Sequence, residues 1–363
     1  MTGSSASINI SSMNNTATNN NEDSTSTAAH YRLGMLGGGT VASAFAEMLS
    51  GRDLPVSLAH ILVRDLAKTR TQALLVDRLT TDAELVVDDA DIIIELMGGT
   101  DQAGDLMLRA LAAGKPVITA NKAALAERWD EFLPYLGRGQ VYFESAVMAG
   151  TPIVAALTGG LRASKPIELH AILNGTCNYM LQQLEAGTAF ADALAEAQAL
   201  GYAEADPSLD IDGFDAAHKL AILGRLAFNP ELTWDAVKVN TIGIRELTPA
   251  VVQEAMEDGG RVRLVGSIYP QEGIWQAVVR PVYLPASHPL SGSASERNGM
   301  VFRSDSLGYV SMIGPGAGGK ETASGILADL YALLDGQRGP APLQQAAEVP
   351  EGVRIDKLGE VLE

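Results

Sequence analysis

The sequence is poor in cysteine, in basic residues and in long apolar runs. Its one cysteine, Cys177, excludes an internal disulfide and a cysteine-based metal cluster. Because no apolar run approaches the roughly 20 residues that cross a bilayer, we expect no membrane-spanning helix. The 26 Lys and Arg are outnumbered by 44 Asp and Glu, and the resulting charge of −18 disfavours nucleic-acid and anionic-membrane partners.

Both ends of the chain lack the features of folded or targeting segments. Residues 1–30 contain no Lys or Arg and are rich in Ser, Thr and Asn, so they have neither the basic nor the apolar region of a signal peptide. We expect this segment to be a disordered tail. Residues 336–363, which carry several prolines, are expected to form a second, weakly ordered tail. A cytoplasmic location fits these absences and the single cysteine.

Two patterns follow one another between the tails. Residues 31–150 alternate apolar strands with helices, which predicts a Rossmann-type, doubly wound α/β domain that binds NAD(P). Residues 151–313 begin with helices and continue with strands, which predicts an α+β domain with a mixed, largely antiparallel sheet. Residues 314–335 combine a glycine-rich loop with a helix, and we expect them to return the chain to the nucleotide domain.

The glycine-rich turn after the first predicted strand reads LGGGTVA and fits the dinucleotide fingerprint G-x-G-x-x-G/A. Its glycines allow a tight turn, and the following helix N-terminus would stabilise a pyrophosphate. We therefore predict that Gly37, Gly39, Thr40 and Val41 contact the cofactor. A turn that serves only the packing of strand against helix is the alternative.

The end of the second predicted strand bears on the choice of cofactor. NAD-binding proteins usually carry an acidic residue there, whereas this sequence has Arg64, with Lys68 nearby. A guanidinium can hold a 2′-phosphate through paired hydrogen bonds, which favours NADP over NAD. A solvated turn formed by Arg64 and Asp65 is the alternative.

Two lysines are candidates for catalysis. Lys122 follows the predicted strand that ends at Thr119, at the sheet edge where α/β proteins bind ligands, although an ordinary exposed residue of a first helical turn is also possible. Lys219 follows Asp215 by one turn in a helix that is apolar nearly all round and therefore predicted to be buried. A buried lysine is costly unless paired, which favours a functional pair over a purely structural one. His218 is expected to be a satisfied core histidine.

Three segments together resemble the homoserine dehydrogenase family. They read ELMGGTDQAGDLMLRALAAGKPVITANKAALA (residues 95–126), ILNGTCNYM (172–180) and EAQALGYAEADPSLDIDGFDAAHKLAIL (196–223). The resemblance implies an NAD(P)-dependent oxidoreductase of threonine and methionine biosynthesis, which interconverts L-homoserine and L-aspartate 4-semialdehyde. Because it ends near Leu334, we expect the short form without the C-terminal ACT domain that binds threonine in many relatives.

The resemblance also implies individual roles. Lys219 would donate the proton to the carbonyl oxygen, with Asp215 beside it and Lys122 between nicotinamide and substrate. A monovalent cation, usually sodium, would rest on main-chain oxygens, and the second domain's sheet would form a homodimer. The other expected site residues are Glu204, Tyr202, Asp210, Asn174, Gly175 and Thr176 for the substrate; Gly98, Thr119, Asn121, Gly318, Gly319, Glu321 and Thr322 for the cofactor; and Glu144, Val147, Ala149 and Thr151 for the cation.

Two other functions fit the sequence less well. Aspartate-semialdehyde dehydrogenase needs a nucleophilic cysteine, and Cys177 lies in a segment expected to form the substrate loop. A catalytically silent NAD(P)-binding protein would have no use for a buried lysine such as Lys219. Both are therefore disfavoured.

Overall fold

The computed structural model describes residues 30–68, 76–257, 259–293 and 297–351. Its first lobe contains β1 (Tyr31–Leu36), α1 (Thr40–Ser50), β2 (Val56–Leu62), β3 (Leu79–Thr80), α2 (Ala83–Asp88), β4 (Ile92–Glu95), α3 (Asp101–Ala112), β5 (Val117–Thr119), α4 (Lys122–Glu127), α5 (Trp129–Arg138) and β6 (Val141–Tyr142). Residues 1–29 of the tail predicted at 1–30, and residues 352–363 of the second predicted tail, lie outside the described part.

The first lobe is built on a parallel sheet in the order β3-β2-β1-β4-β5-β6. The strand order reverses between β1 and β4, so a crevice opens at their carboxyl ends. This arrangement confirms the predicted Rossmann-type fold.

The apolar run of β4 explains how this sheet is covered. Ile92 and Ile94 pack into the core cluster that includes α1 residues, whereas Ile93 packs into the cluster that includes α3 residues. Both faces of the strand are thus buried, as a continuous apolar sequence predicts.

The second lobe is built on an antiparallel sheet in the order β11-β10-β7-β8-β9. This confirms the predicted α+β class, although its central strand β7 was not predicted. The remaining elements of the chain are α6 (Ser145–Met148), α7 (Ile153–Thr158), β7 (Pro166–Ile172), α8 (Gly175–Glu185), α9 (Phe190–Ala199), α10 (Ser208–Ile211), α11 (Phe214–Ala227), α12 (Trp234–Lys238), α13 (Pro249–Glu257), β8 (Arg261–Gln271), β9 (Ile274–Leu284), β10 (Arg297–Ser304), β11 (Gly308–Pro315) and α14 (Gly319–Leu334).

Helix α11 lies in the middle of the molecule. Its residues from Asp215 to Leu226 are all buried, which confirms the predicted buried helix. It packs against the second lobe's sheet and also against α4 of the first lobe. One buried helix therefore contacts both lobes.

Helix α14 returns the chain to the first lobe, and the segment after it contacts both lobes. Helix α14 packs against α1. The segment after it, which was expected to be weakly ordered, makes specific hydrogen bonds: Tyr142 Oη donates to Gln337 O at 2.6 Å, and Trp275 Nε1 donates to Ala347 O at 2.9 Å. The predicted domain boundaries remain predictions. In the described ranges, every helix is too short or too polar to cross a bilayer.

Candidate active site

A cleft of about 1480 Å³ opens at the carboxyl ends of β1, β2 and β4. Ligand pockets of roughly 300–1,000 Å³ hold drug-sized molecules, so this cleft has room for a longer ligand such as a dinucleotide. Eight of the residues predicted to bind the cofactor line it. They are Gly37, Gly39, Thr40, Arg64, Lys68, Gly98, Gly319 and Glu321.

The glycines after β1 form the cradle that a pyrophosphate requires. Gly37 has φ +112°, and a Cβ there would lie 2.8 Å from the main-chain carbon of Leu96, so only glycine fits. Gly39 is the N-cap of α1, no side chain caps that helix, and the space beside Gly39 is open. The amide groups at the start of α1 thus face a cavity that suits an anionic phosphate.

A second helix begins at the same cleft. Gly318, with φ +123°, precedes α14, and a Cβ on Gly319 would lie 2.8 Å from Thr40 Cγ2. The N-termini of α1 and α14 therefore meet. Lys320 also lines the cleft, although the sequence analysis had not singled it out.

Several predicted cofactor residues lie beside the cleft or beneath it. Val41 packs against the apolar cluster of the first lobe, and the main-chain oxygen of Thr322 accepts from Ser145 Oγ at 2.7 Å. Thr119 is fully buried. Asn121 caps α4 by accepting from Ala124 N at 3.0 Å.

The catalytic candidates meet where the two lobes join. Asp215 Oδ2 accepts from Lys219 Nζ at 2.8 Å, and Asp215 Oδ1 lies 3.2 Å from Lys122 Nζ. Lys219 Nζ also donates to Leu173 O at 2.6 Å. The structure thus brings all three predicted catalytic residues together around one buried carboxylate.

The charges of this cluster stabilise one another. Burial opposes ionisation of Asp215, but the ammonium groups of Lys219 and Lys122 outweigh it and hold the pKa of Asp215 well below its usual range. The charge of Asp215 in turn raises the pKa of Lys122. Burial and the neighbouring Asp215 raise the pKa of Asp210.

Asn174 organises the predicted substrate loop. Its Oδ1 caps α8 by accepting from Cys177 N at 2.7 Å. Its Nδ2 lies 2.6 Å from Asp210 Oδ1 and 2.8 Å from Asp215 Oδ2 and donates to these carboxylates. Gly175 is the first residue of α8. The loop therefore ties two acidic side chains to one helix N-terminus.

The segment with Tyr202 and Glu204 forms the exposed side of the site. Thr176 Oγ1 donates to Tyr202 O at 2.7 Å, and the Tyr202 ring lies 5.0 Å from that of Tyr179. Glu204 is exposed, and its charge helps to raise the pKa of Lys122. A carboxylate at this position is open to an incoming ammonium group.

Asn298 and Glu95 belong to the site but were missed by the sequence analysis. Asn298 Nδ2 donates to Leu173 O at 2.9 Å, so it holds the same oxygen that Lys219 contacts. Asn298 lies 125 residues from Leu173, and nothing in its local sequence indicates the contact. Glu95 could have been noticed as an acidic residue that ends an apolar strand.

Cys177 and His218 behave as core residues. Cys177 is fully buried, and burial raises the pKa of its thiol well above the usual value, so it is a poor nucleophile. His218 Nε2 lies 2.8 Å from Glu127 Oε1, and its ring stacks on Trp234 with centroids 4.3 Å apart. His218 is therefore a core residue, as expected, but it is only partly satisfied, because its buried Nδ1 has no hydrogen-bond partner among the described residues.

The predicted cation segment is buried and tightly turned. Ala149 has φ +47°, which an L-residue rarely adopts. Glu144 uses its carboxylate to accept from Val154 N at 2.8 Å and Ala155 N at 2.7 Å. Thr151 Oγ1 donates to Pro315 O at 3.1 Å. Across the described ranges, no group of three or more His, Cys, Asp and Glu is arranged to hold a metal ion.

Fold and site together define a class of protein. A Rossmann-type lobe with a glycine cradle lies beside a second lobe that supplies a buried, paired lysine and a cluster of acids. This is the arrangement of a dinucleotide-dependent oxidoreductase.

Comparisons with known proteins identify the family. The profile described as "Homoserine dehydrogenase" matches residues 152–331, and "Homoserine dehydrogenase, NAD binding domain" matches residues 37–134.

Individual relatives agree with these profiles. The homoserine dehydrogenase of Bacillus subtilis (strain 168) is 34% identical over 320 residues, which are 85% of this chain and 73% of that protein. The crystal structure of a homoserine dehydrogenase from Thiobacillus denitrificans has a TM-score of 0.78 at 37% identity, covering 84% of this chain and 73% of that one. A hyperthermophilic archaeal homoserine dehydrogenase in complex with NADPH has a TM-score of 0.71 at 28% identity, covering 86% of this chain and all of that one.

The chain belongs to the homoserine dehydrogenase family. Its function is the reversible, NAD(P)H-dependent reduction of L-aspartate 4-semialdehyde to L-homoserine.

Proposed function

We propose that Lys219 is the general acid of this reaction and that Lys122 stabilises the oxyanion. The single observation that carries the proposal is that both ammonium groups contact Asp215 at the junction of the lobes. When bound, a reduced nicotinamide supplies hydride to the aldehyde carbon. An ammonium has three donors, of which Lys219 uses two on Leu173 O and Asp215 Oδ2. The third is left for the substrate oxygen.

The acidic groups around this centre suit the substrate's ammonium. Glu204 is exposed, and Asp210 is held by Asn174 close to Asp215. We expect Glu204 and Asp210 to bind the α-ammonium, with Tyr202 beside them. An amino acid held through its α-ammonium would thereby be oriented with its reactive carbon toward the two lysines.

NADP is proposed as the preferred cofactor. Arg64 and Lys68 are exposed and line the cleft after β2, where a ribose-binding acid is usual in NAD-binding proteins. Two cations there favour a 2′-phosphate.

A sodium ion is proposed on the main-chain oxygens of Glu144, Val147, Ala149 and Thr151. Because the Glu144 carboxylate already caps α7, main-chain oxygens rather than carboxylates would be the ligands. The constrained backbone of Ala149 suits a segment shaped for an ion. A bound ion would hold residues 144–151, which connect the two lobes, in one conformation. Activity should then depend on added monovalent cation.

A homodimer through the second lobe's sheet is also proposed. The strand β11 ends the described order of that sheet and exposes Tyr309 by 52% and Ile313 by 45%. Sedimentation equilibrium should report a dimer, and Ile313→Lys should shift it toward monomer. Leu133→Lys, an equal change at an exposed position of α5, should not.

The catalytic proposal is tested by turnover with L-homoserine and NADP⁺, compared with L-serine as a shorter analogue. We expect oxidation of homoserine and a Glu204→Gln variant with raised KM for homoserine but unchanged affinity for NADPH. Wild-type KM in that variant would contradict the proposed role of Glu204. Wild-type turnover in Lys122→Met would contradict the proposed role of Lys122.

A further inference from the structure

Glu95 is a buried carboxylate at the junction between the cofactor cleft and Lys122. It is the last residue of β4, and it is fully buried. Within the described parts of the chain, no Lys or Arg side chain forms an ion pair with it. Burying a carboxylate without a cation is costly, and burial indeed raises the pKa of Glu95. Its hydrogen bonds must therefore compensate.

One oxygen of Glu95 holds the loop that lines the cleft. Oε1 accepts from Met97 N and from Gly98 N, both at 2.9 Å. Gly98 and Gly99 have φ of +71° and +82°, and space is open where their Cβ atoms would lie. The carboxylate thus fixes the backbone of this loop, whose two glycines have no side chains that could do so.

The other oxygen of Glu95 reaches the segment that carries Lys122. Oε2 accepts from Thr119 Oγ1 at 2.6 Å, and Thr119 Oγ1 accepts from Asn121 N at 2.9 Å. Asn121 Nδ2 donates back to Gly99 O at 2.7 Å, which closes a ring of hydrogen bonds. Asn121 also caps α4, whose first residue is Lys122.

We propose that Glu95 is a positioning residue that aligns the Lys122 ammonium with the cofactor loop. Because one carboxylate holds both the loop and the start of α4, a shift of either is transmitted to the other. The inference rests on the role proposed for Lys122. A glutamine could not replace Glu95, since its amide nitrogen would face Thr119 Oγ1 and leave that hydroxyl without an acceptor.

The test is a double-mutant cycle of Glu95→Gln and Lys122→Met, with kcat from initial rates and the Kd of NADPH from fluorescence titration. Glu95→Gln alone should lower kcat about tenfold and weaken NADPH binding by about threefold or more, because both segments lose their common anchor. In the Lys122→Met background the same change should lower kcat by less than about twofold, while the effect on Kd persists.

A matched control and a second variant keep the test decisive. Glu84→Gln, the same change at an exposed carboxylate of α2, should leave kcat and Kd unchanged. An equal loss of kcat from Glu95→Gln in both backgrounds, or wild-type kcat and Kd in Glu95→Gln, would overturn the inference. If Glu95→Gln does not fold, Thr119→Val keeps the carboxylate, removes the bridging hydroxyl and should give the same pattern. Failure of the role proposed for Lys122 is recognised separately, as unchanged kcat in Lys122→Met alone.

Discussion

Lys122 and Lys219 share one carboxylate: Asp215 Oδ1 lies 3.2 Å from Lys122 Nζ, and Asp215 Oδ2 lies 2.8 Å from Lys219 Nζ. The first lysine begins α4 in the nucleotide lobe, and the second lies within α11 of the substrate lobe. The proposed catalytic centre therefore depends on how the lobes are joined.

Asp215→Asn should change how stability depends on acid. The pKa of Asp215 is held well below its unfolded value of roughly 3.9, so its stabilisation is present above about pH 4 and is lost as the pH falls below that. The variant should be less stable at pH 7 by about 3 kcal/mol, because the buried Lys219 and the partly exposed Lys122 lose their common partner. Urea unfolding at pH values from 7 to 3 should show that acid lowers the free energy of unfolding less in the variant than in the wild type. The same dependence of unfolding free energy on pH in both proteins would contradict the lowered pKa of Asp215.

Glu144→Gln should have the opposite pH signature. Burial raises the pKa of Glu144 to about 7, so its contribution to stability is complete below the unfolded value and is lost as the pH rises to about 7. The wild type should therefore lose up to about 3 kcal/mol more than the variant between pH 4 and pH 8. Chemical unfolding at both pH values measures this, with Glu84→Gln as the exposed control. If the wild type and the variant lose the same free energy of unfolding between pH 4 and pH 8, Glu144 titrates normally.

Arg64→Ala tests the choice of cofactor. The KM for NADP⁺ should rise about tenfold or more, whereas the KM for NAD⁺ should change little, since only a 2′-phosphate contact is lost. Arg52→Ala, at an exposed position beyond the other end of α1, serves as control. An equal loss with both cofactors would mean that Arg64 supports the fold or a feature that both cofactors share.

Much of this architecture could be predicted from local sequence. The continuous apolar residues of β4 indicate a strand buried on both faces, and the apolar circumference of α11 indicates a buried helix. Strand β7 was not predicted, although the alternation of its apolar residues with Glu168 and His170 is typical of a half-buried strand. In the fold these polar side chains are buried too, since Glu168 binds Arg303 and His170 binds Ser267. Their partners lie on other strands, which a local pattern does not reveal.

The candidate site was predictable only in part for the same reason. Lys219 and Asp215 are one helical turn apart, so their pairing follows from spacing. The approach of Lys122 to this pair depends on the packing of α4 against α11, and Asn298 reaches Leu173 from a distant strand. Such contacts are set by topology.

Lys219 is proposed to supply the proton that accompanies hydride transfer. The most direct measurement is the initial rate of NADPH oxidation with L-aspartate 4-semialdehyde by the wild type and by Lys219→Met, together with the Kd of NADPH for each. We expect kcat to fall by about 10²–10⁴ and the Kd to change by less than about twofold, because only the proton donor is removed. A folded Lys219→Met variant that turns over at the wild-type rate would contradict this proposal.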